Sequence, residues 1–224
     1  MANLPTMGDR PTSTELNLAL SGLLALAAAI GIGRFAFTPI LPMMLHDGLL
    51  DVAGGGLLAS THFAGYTVGA LMATRIGESR LISGSLATIA LTTLLMAFSE
   101  AMLVWAVARF VAGVCSAFVL VAVSATSVSI LAANKPVLQA MVFAGVGIGI
   151  AVVGLAVLAM SLVEMSSETA WLAFGVLTLF VAIRQYSLDR HPGRAESRGP
   201  STQSGPAPRL PWALILPYAA MGLG

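Results

Sequence analysis

Apolar residues run along this chain in blocks rather than in alternation. The blocks extend from Leu16 to Leu45, Val52 to Ala73, Leu81 to Phe98, Ala101 to Leu131, Pro136 to Leu162 and Thr169 to Ile183, the last being short for a crossing unless it extends towards Leu188, with short polar breaks between them. Crossing a hydrocarbon core of about 30 Å takes about 20 helical residues, and a spanning segment must satisfy its own backbone hydrogen bonds, which selects helices. The pattern therefore predicts an all-α membrane protein with six transmembrane helices over residues 16–183, preceded by a polar tail, residues 1–15. Pro39 and Pro42 are expected to kink the outer end of the long first helix. Residues 184–211 are rich in Pro, Gly, Ser and Arg, as a solvated linker is. Residues 212–224 are apolar again and, at about 1.5 Å per residue, reach only about 20 Å. They read as the start of a seventh, truncated transmembrane helix.

Composition agrees with the blocks. The chain is 57% hydrophobic and 9% charged, with a mean hydropathy of +0.90, whereas a soluble domain carries about 25% charged residues. The lipid bilayer is thus the expected surroundings. A net charge of +1 without a clustered basic face excludes nucleic acid as a partner. Cys115 is the one cysteine, so neither an internal disulfide nor a cysteine metal cluster is expected, and no motif asks for a metal or cofactor. The amino-terminal tail lacks the basic n-region of a secretory signal, so the first block reads as an uncleaved anchor.

The basic residues fix the expected orientation. Arg10, Arg75, Arg80, Lys135, Arg184 and the four arginines beyond it all fall on the N-terminal side of the blocks, whereas the opposite loops hold Asp47, Asp51, Glu100, Glu164 and Glu168 and no Lys or Arg. Positive charge stays cytoplasmic, which places the amino terminus and residues 184–211 inside. Trp105 and Trp171 near the outer ends, with Trp212 near an inner end, fit interfacial anchors.

Two basic residues remain for the membrane, Arg34 and Arg109, and no Asp or Glu lies within a span. An arginine at mid-span costs roughly 2.5–3.5 kcal/mol on insertion scales and faces a bundle interior or a watery cavity. Counted from the outer helix ends, Arg34, His62 and Arg109 lie at about 16, 15 and 12 Å, a shared depth reached from three helices. Secondary transporters bind substrate at that depth. The structural alternative is that the arginines bond backbone carbonyls freed by Pro39, and that His62 is an interhelical hydrogen-bonding group. Tyr66 shares a helix face with His62, and Thr38 lies one turn beyond Arg34. Gly65 and Gly69, and Gly145 and Gly149, are spaced four apart and predict close helix pairing. Ser116, Ser124, Ser127 and Ser129 are expected to bond back to their own helix.

These residues resemble the major facilitator superfamily and, within it, the YbfB/YjiJ-like group of bacterial transporters. The resemblance rests on Gly31-Ile32-Gly33-Arg34-Phe35-Ala36-Phe37-Thr38-Pro39-Ile40-Leu41-Pro42, on Ala59 to Tyr66 with Gly69, and on Arg109-Phe110-Val111-Ala112-Gly113. It covers nearly the whole chain but only the first half of such a transporter. Departures are the missing Asp before Arg75, the absence of an antiporter-type proline among the fifth-helix glycines, and His62 where Asn is expected. The resemblance implies the amino-terminal six-helix bundle of a multi-pass carrier in the bacterial inner membrane.

The leading expectation is a secondary active transporter rather than an enzyme, working by alternating access on a small, anionic organic solute. Arg34, Thr38, His62, Tyr66 and Arg109 would line its pathway, and Pro39, Pro42, Gly65, Gly69, Gly113, Gly145 and Gly149 would serve packing and gating. A guanidinium fork suits a carboxylate, and His62 is the candidate for proton coupling. The alternatives are a non-transporting fragment lacking the C-terminal half, or a six-helix unit completed as a homodimer. An intramembrane hydrolase ranks last, because there is no Gly-x-Ser-x-Gly elbow and no membrane carboxylate to orient His62.

Overall fold

The computed structural model describes residues 12–73, 80–131 and 135–189, all of them in helices or the turns that join helices. The expectations for the loop after Ala73, for the linker beyond Asp189 and for residues 212–224 lie outside the described residues.

The first helix begins at α1, Ser13–Leu26, where the Thr12 hydroxyl accepts from the Glu15 N–H and the Glu15 carboxylate accepts from the Thr12 N–H, a reciprocal cap for two orphan donors. It continues without a break through a π-helical segment, Ala27–Phe35, and then as α2, Phe37–His46. The departure from α geometry thus lies upstream of the prolines, and Pro42 sits inside α2. Its cause is visible in the neighbours. Pro39 offers no N–H to the turn before it, and Arg109 and Ser116, from the later helix Met102–Leu131, supply side-chain donors to the Ala29, Gly33 and Arg34 carbonyls. Side chains inserted into the backbone ladder are a recognised origin of such irregularity.

At the end of α2 the chain turns with Gly48 at φ 71°, the Gly48 N–H bonding Leu45 and the Leu49 N–H bonding Met44. This double bond pattern closes the helix with a left-handed residue that glycine adopts freely. The remaining helices are α3, Val52–Ala73; α4, Arg80–Phe98; α5, Met102–Leu131; α6, Pro136–Leu162; and α7, Ser167–Asp189. Among the described residues, five stretches are long and apolar enough to cross a membrane: Ser13–His46, Leu81–Phe98, Met102–Ser127, Pro136–Leu162 and Ser167–Asp189. The 22-residue α3, which carries glycines, Ser60, Thr61 and His62, falls outside that set.

The first helix is the axis of the packing. In its most apolar window 56% of residues are buried, against 28% for Pro136–Leu162. Two apolar clusters form along it. One gathers Leu26, Ala29, Leu86, Ile89, Val119 and Val142, and the other gathers Phe37, Ile40, Leu58, Trp105, Val153 and Trp171. Apolar burial does not itself drive helices together in lipid, where close backbone approach and interhelical hydrogen bonds matter more. Glycines supply that approach. A Cβ at Gly65 would overlap the Phe110 carbonyl, and one at Gly69 would stand 2.5 Å from the Val114 carbonyl oxygen, so α3 lies directly on α5. A Cβ at Gly145 would overlap the Leu23 carbonyl, and at Gly149 it would stand 2.5 Å from that of Ala27, so α6 lies on the first helix in the same way.

Two further differences from the sequence reading have clear causes. Helix α7 runs past Ile183 to Asp189, so residues 184–189 are helical rather than linker; Gln185 is buried and accepts from the Ser21 hydroxyl, which holds that last turn. Trp105 and Trp171 are core residues, each 1% exposed, not interfacial anchors, and Trp171 stacks on Phe37 with centroids 6.4 Å apart. Between α2 and α7, the Asp47 carboxylate accepts from the Ser167 hydroxyl at 2.7 Å and from its N–H at 2.8 Å. The Ser167 hydroxyl is the main cause that holds the Asp47 carboxyl below the usual aspartate range.

Candidate functional site: an arginine cluster among three helices

Arg34 is the last residue but one of the π segment, His62 sits mid-way along α3, and Arg109 lies in α5. The glycine contacts decide how close they come. A Cβ at Gly113 would overlap the His62 carbonyl and stand 2.8 Å from the Tyr66 nitrogen, so the absence of that atom lets α3 and α5 touch at the level of the cluster.

Arg109 is 4% exposed. Its Nη1 donates to the Gly33 carbonyl at 3.1 Å and its Nη2 to the Arg34 carbonyl at 3.3 Å, while Cζ lies 5.0 Å from the Phe37 ring centroid. Both terminal nitrogens are therefore engaged with the first helix. His62, 2% exposed, is joined to the same arginine by an Nδ1 contact of 3.1 Å to the Arg109 carbonyl oxygen. A carbonyl can only accept, so Nδ1 carries the hydrogen and the neutral ring keeps its lone pair on Nε2. Arg34 is only partly buried. Its Cζ lies over Tyr66 at 4.6 Å, Phe63 at 5.2 Å and Phe35 at 5.3 Å, within cation–π range of all three.

No carboxylate forms an ion pair with either arginine among the described residues. Of the five buried side-chain nitrogens without a hydrogen-bond partner among the described residues, three lie here, Arg34 Nε, Arg109 Nε and His62 Nε2; the other two are Trp105 Nε1 and Trp171 Nε1. In a membrane interior such groups are costly, and three of them share this junction.

Of the residues singled out from sequence, Arg34, His62, Tyr66 and Arg109 thus meet in one place. Thr38 is exposed at the start of α2 and takes part in none of these contacts. Ser116 does not bond its own helix; its hydroxyl donates at 2.9 Å to the Ala29 carbonyl of the π segment. The aromatic surround of Phe35, Phe37 and Phe63 was not anticipated. Its signal was present, since each of these phenylalanines is next to, or within a turn of, a polar membrane residue. The groove between the start of α4 and the end of α7, lined by Ser83, Leu179, Ile183 and Tyr186 among others, shares no residue with the cluster.

Apolar helices of spanning length around buried, unpaired guanidinium groups define a multi-pass helical membrane protein with a polar junction in its bundle. A family model described as "Uncharacterised MFS-type transporter YbfB" matches residues 26–224. The chain belongs to that family of major-facilitator-type transporters. Compared with curated proteins and with solved structures, it has no match.

Proposed function

We propose that the protein is a secondary active transporter that moves a small anionic organic solute by alternating access, with Arg34 facing the pathway. The observation that carries this reading is the position of Arg34: far from either end of a long apolar helix, half-buried, ringed by aromatics and without a carboxylate. A guanidinium in that setting belongs against water, solute or another protein surface rather than acyl chains. A fork of N–H donors in an apolar frame suits a carboxylate. Tyr66 and His62 would line the same path, with Thr38 at its rim, while the glycines at 65, 69, 113, 145 and 149 set how closely the helices pack and Pro39 and Pro42 shape the first helix.

In the same proposal α3 is a sixth crossing, the amino terminus is cytoplasmic in a bacterial inner membrane, and the bundle works as a carrier rather than an enzyme. The distribution of Lys and Arg supports that orientation. If a proton is the coupling ion, His62 has one nitrogen left for it, because Nδ1–H is held by the Arg109 carbonyl.

Proteoliposomes test the proposal. Uptake of radiolabelled benzoate, lactate and succinate is measured at alkaline pH, where the free acids do not leak, with and without an imposed proton gradient. Saturable uptake of at least one, lost in Arg34→Gln, is expected. Rates equal to protein-free liposomes for all three would contradict it.

A further inference from the structure

The two arginines differ in what they have left to offer, and that difference bears on the solute. Both terminal nitrogens of Arg109 already donate to the Gly33 and Arg34 carbonyls, and its side chain is sealed in the core. One of those acceptors is the carbonyl of Arg34 itself, so Arg109 acts on Arg34 through the backbone. Arg34 has rings of Tyr66, Phe63 and Phe35 about its guanidinium and is only partly buried. Its Nε, like that of Arg109, is buried without a partner and so lies out of a ligand's reach. Its two terminal nitrogens form a fork for the two oxygens of one carboxylate. Next to it stand Phe63, 44% exposed, and the partly buried Tyr66, an apolar wall for the rest of the ligand.

We propose that Arg34 alone binds the solute, as a monocarboxylate with a flat or apolar body that rests on Phe63 and Tyr66, and that Arg109 is a positioning residue that pins the Arg34 backbone. A single free fork suits a single carboxylate. A dicarboxylate or phosphate would bring a second charge into an aromatic wall that cannot pair it, at the cost of desolvating that charge. This assignment rests on the reading of Arg34 as a pathway residue.

The test is equilibrium binding to the purified full chain in detergent, with benzoate, its neutral isostere benzamide, succinate and inorganic phosphate as probes. Benzoate should bind saturably, and more tightly than benzamide by about tenfold or more, the worth of a charge-assisted bidentate contact. That ratio should collapse towards one in Arg34→Gln and fall in Arg34→Lys, which keeps the charge but loses the fork. In Arg109→Lys, where an ammonium can still hold the carbonyls, both affinities should weaken together and the ratio should stay within about twofold of wild type. Phe63→Ala should weaken benzoate and benzamide alike.

The proposal is overturned if wild-type protein shows no saturable benzoate binding, if succinate or phosphate binds more tightly, or if Arg109→Lys loses the ratio as Arg34→Lys does. Benzoate binding of the expected pattern without uptake into proteoliposomes would uphold this assignment and refute transport. Uptake that is unaffected by Arg34→Gln would refute the assignment and leave transport standing.

Discussion

Gly65, Gly69 and Gly113 bring α3 against α5, and Gly145 and Gly149 bring α6 against the first helix, with a backbone carbonyl of the neighbouring helix in each seam where a Cβ would otherwise stand. The first seam carries polar chemistry: the His62 contact to the Arg109 carbonyl and, beyond it, the Arg109 fork on the π segment. The second is apolar along its length, and its polar contact is the Lys135–Glu15 ion pair at the end of the helices. Small residues alone therefore report how near two helices come and nothing about what they do. In the proposed reading, function is carried by the polar groups that one seam admits and the other does not. Close approach and polar content are separable, and mutations that change one without the other sharpen the contrast.

The largest expected effect comes from closing the gap itself. Gly113→Val would drive a branched side chain into the α3 backbone at His62 and Tyr66, and Gly149→Val would do the same at Ala27. Each should lower stability by about 3 kcal/mol, the upper range for overpacking, read as thermal unfolding of detergent-purified protein. If the seams differ as described, a partial-relief variant separates them. Gly113→Ala should reduce solute binding more than Gly149→Ala at equal loss of stability, and equal losses of binding would erase the distinction. Gly147, whose added Cβ would meet nothing within 4 Å, supplies the control; Gly147→Ala should be neutral or stabilise by about 0.5–1 kcal/mol.

Next in size is the polar content. Arg109→Gln removes two charge-assisted hydrogen bonds and leaves at least one helix carbonyl without its donor, while also removing a buried charge that is costly to hold. The first terms outweigh the last by about 2 kcal/mol, given that each charged hydrogen bond contributes about 1.5–3 kcal/mol. Unchanged thermal stability would mean that the fork is not what fastens α5 to the first helix.

Arg34→Gln tests the opposite side of the same junction. Its ring contacts are part-exposed, worth about 0.5–1 kcal/mol, so stability should fall by no more than that while solute uptake is lost. A variant as unstable as Arg109→Gln would show that Arg34 is also structural.

Much of this architecture was legible beforehand. Val52–Ala73 and Pro136–Leu162 match the observed helices residue for residue, because long apolar runs bounded by polar breaks leave little choice of element. The shared depth of Arg34, His62 and Arg109 could be counted from helix rise, and their convergence followed. Three things could not be read. The π segment depends on donors from α5, at positions some 75 residues or more away in sequence. The extension of α7 depends on a buried Ser21–Gln185 bond that makes a polar residue a core residue. The different surroundings of the two arginines depend on which carbonyls lie within reach of Arg109, and residue type says nothing of that.

The smallest expected effect lies at the far end of the first helix, and it asks whether acid acts on the polar seam at all. Among the described residues neither arginine of the cluster is paired with a carboxylate, whereas α2 and α7 are joined through Asp47 and Ser167. The Asp47 carboxyl is held below its ordinary value of 3.8, chiefly by the Ser167 hydroxyl. A depressed carboxyl contributes stability that is fully present above the unfolded-state value and is lost as pH falls towards the folded one. Ser167→Ala should therefore cost about 0.5 kcal/mol at neutral pH, as a solvent-screened contact does, and the gap to wild type should narrow as pH falls below about 4. Arg34→Gln should keep a constant offset from wild type across that window, because no carboxylate touches it. If thermal unfolding in acid instead narrowed the Arg34→Gln gap and left the Ser167→Ala gap constant, a carboxylate would have to act on the arginine cluster, and the contrast between a carboxylate-free seam and a carboxylate-clamped helix end would fail.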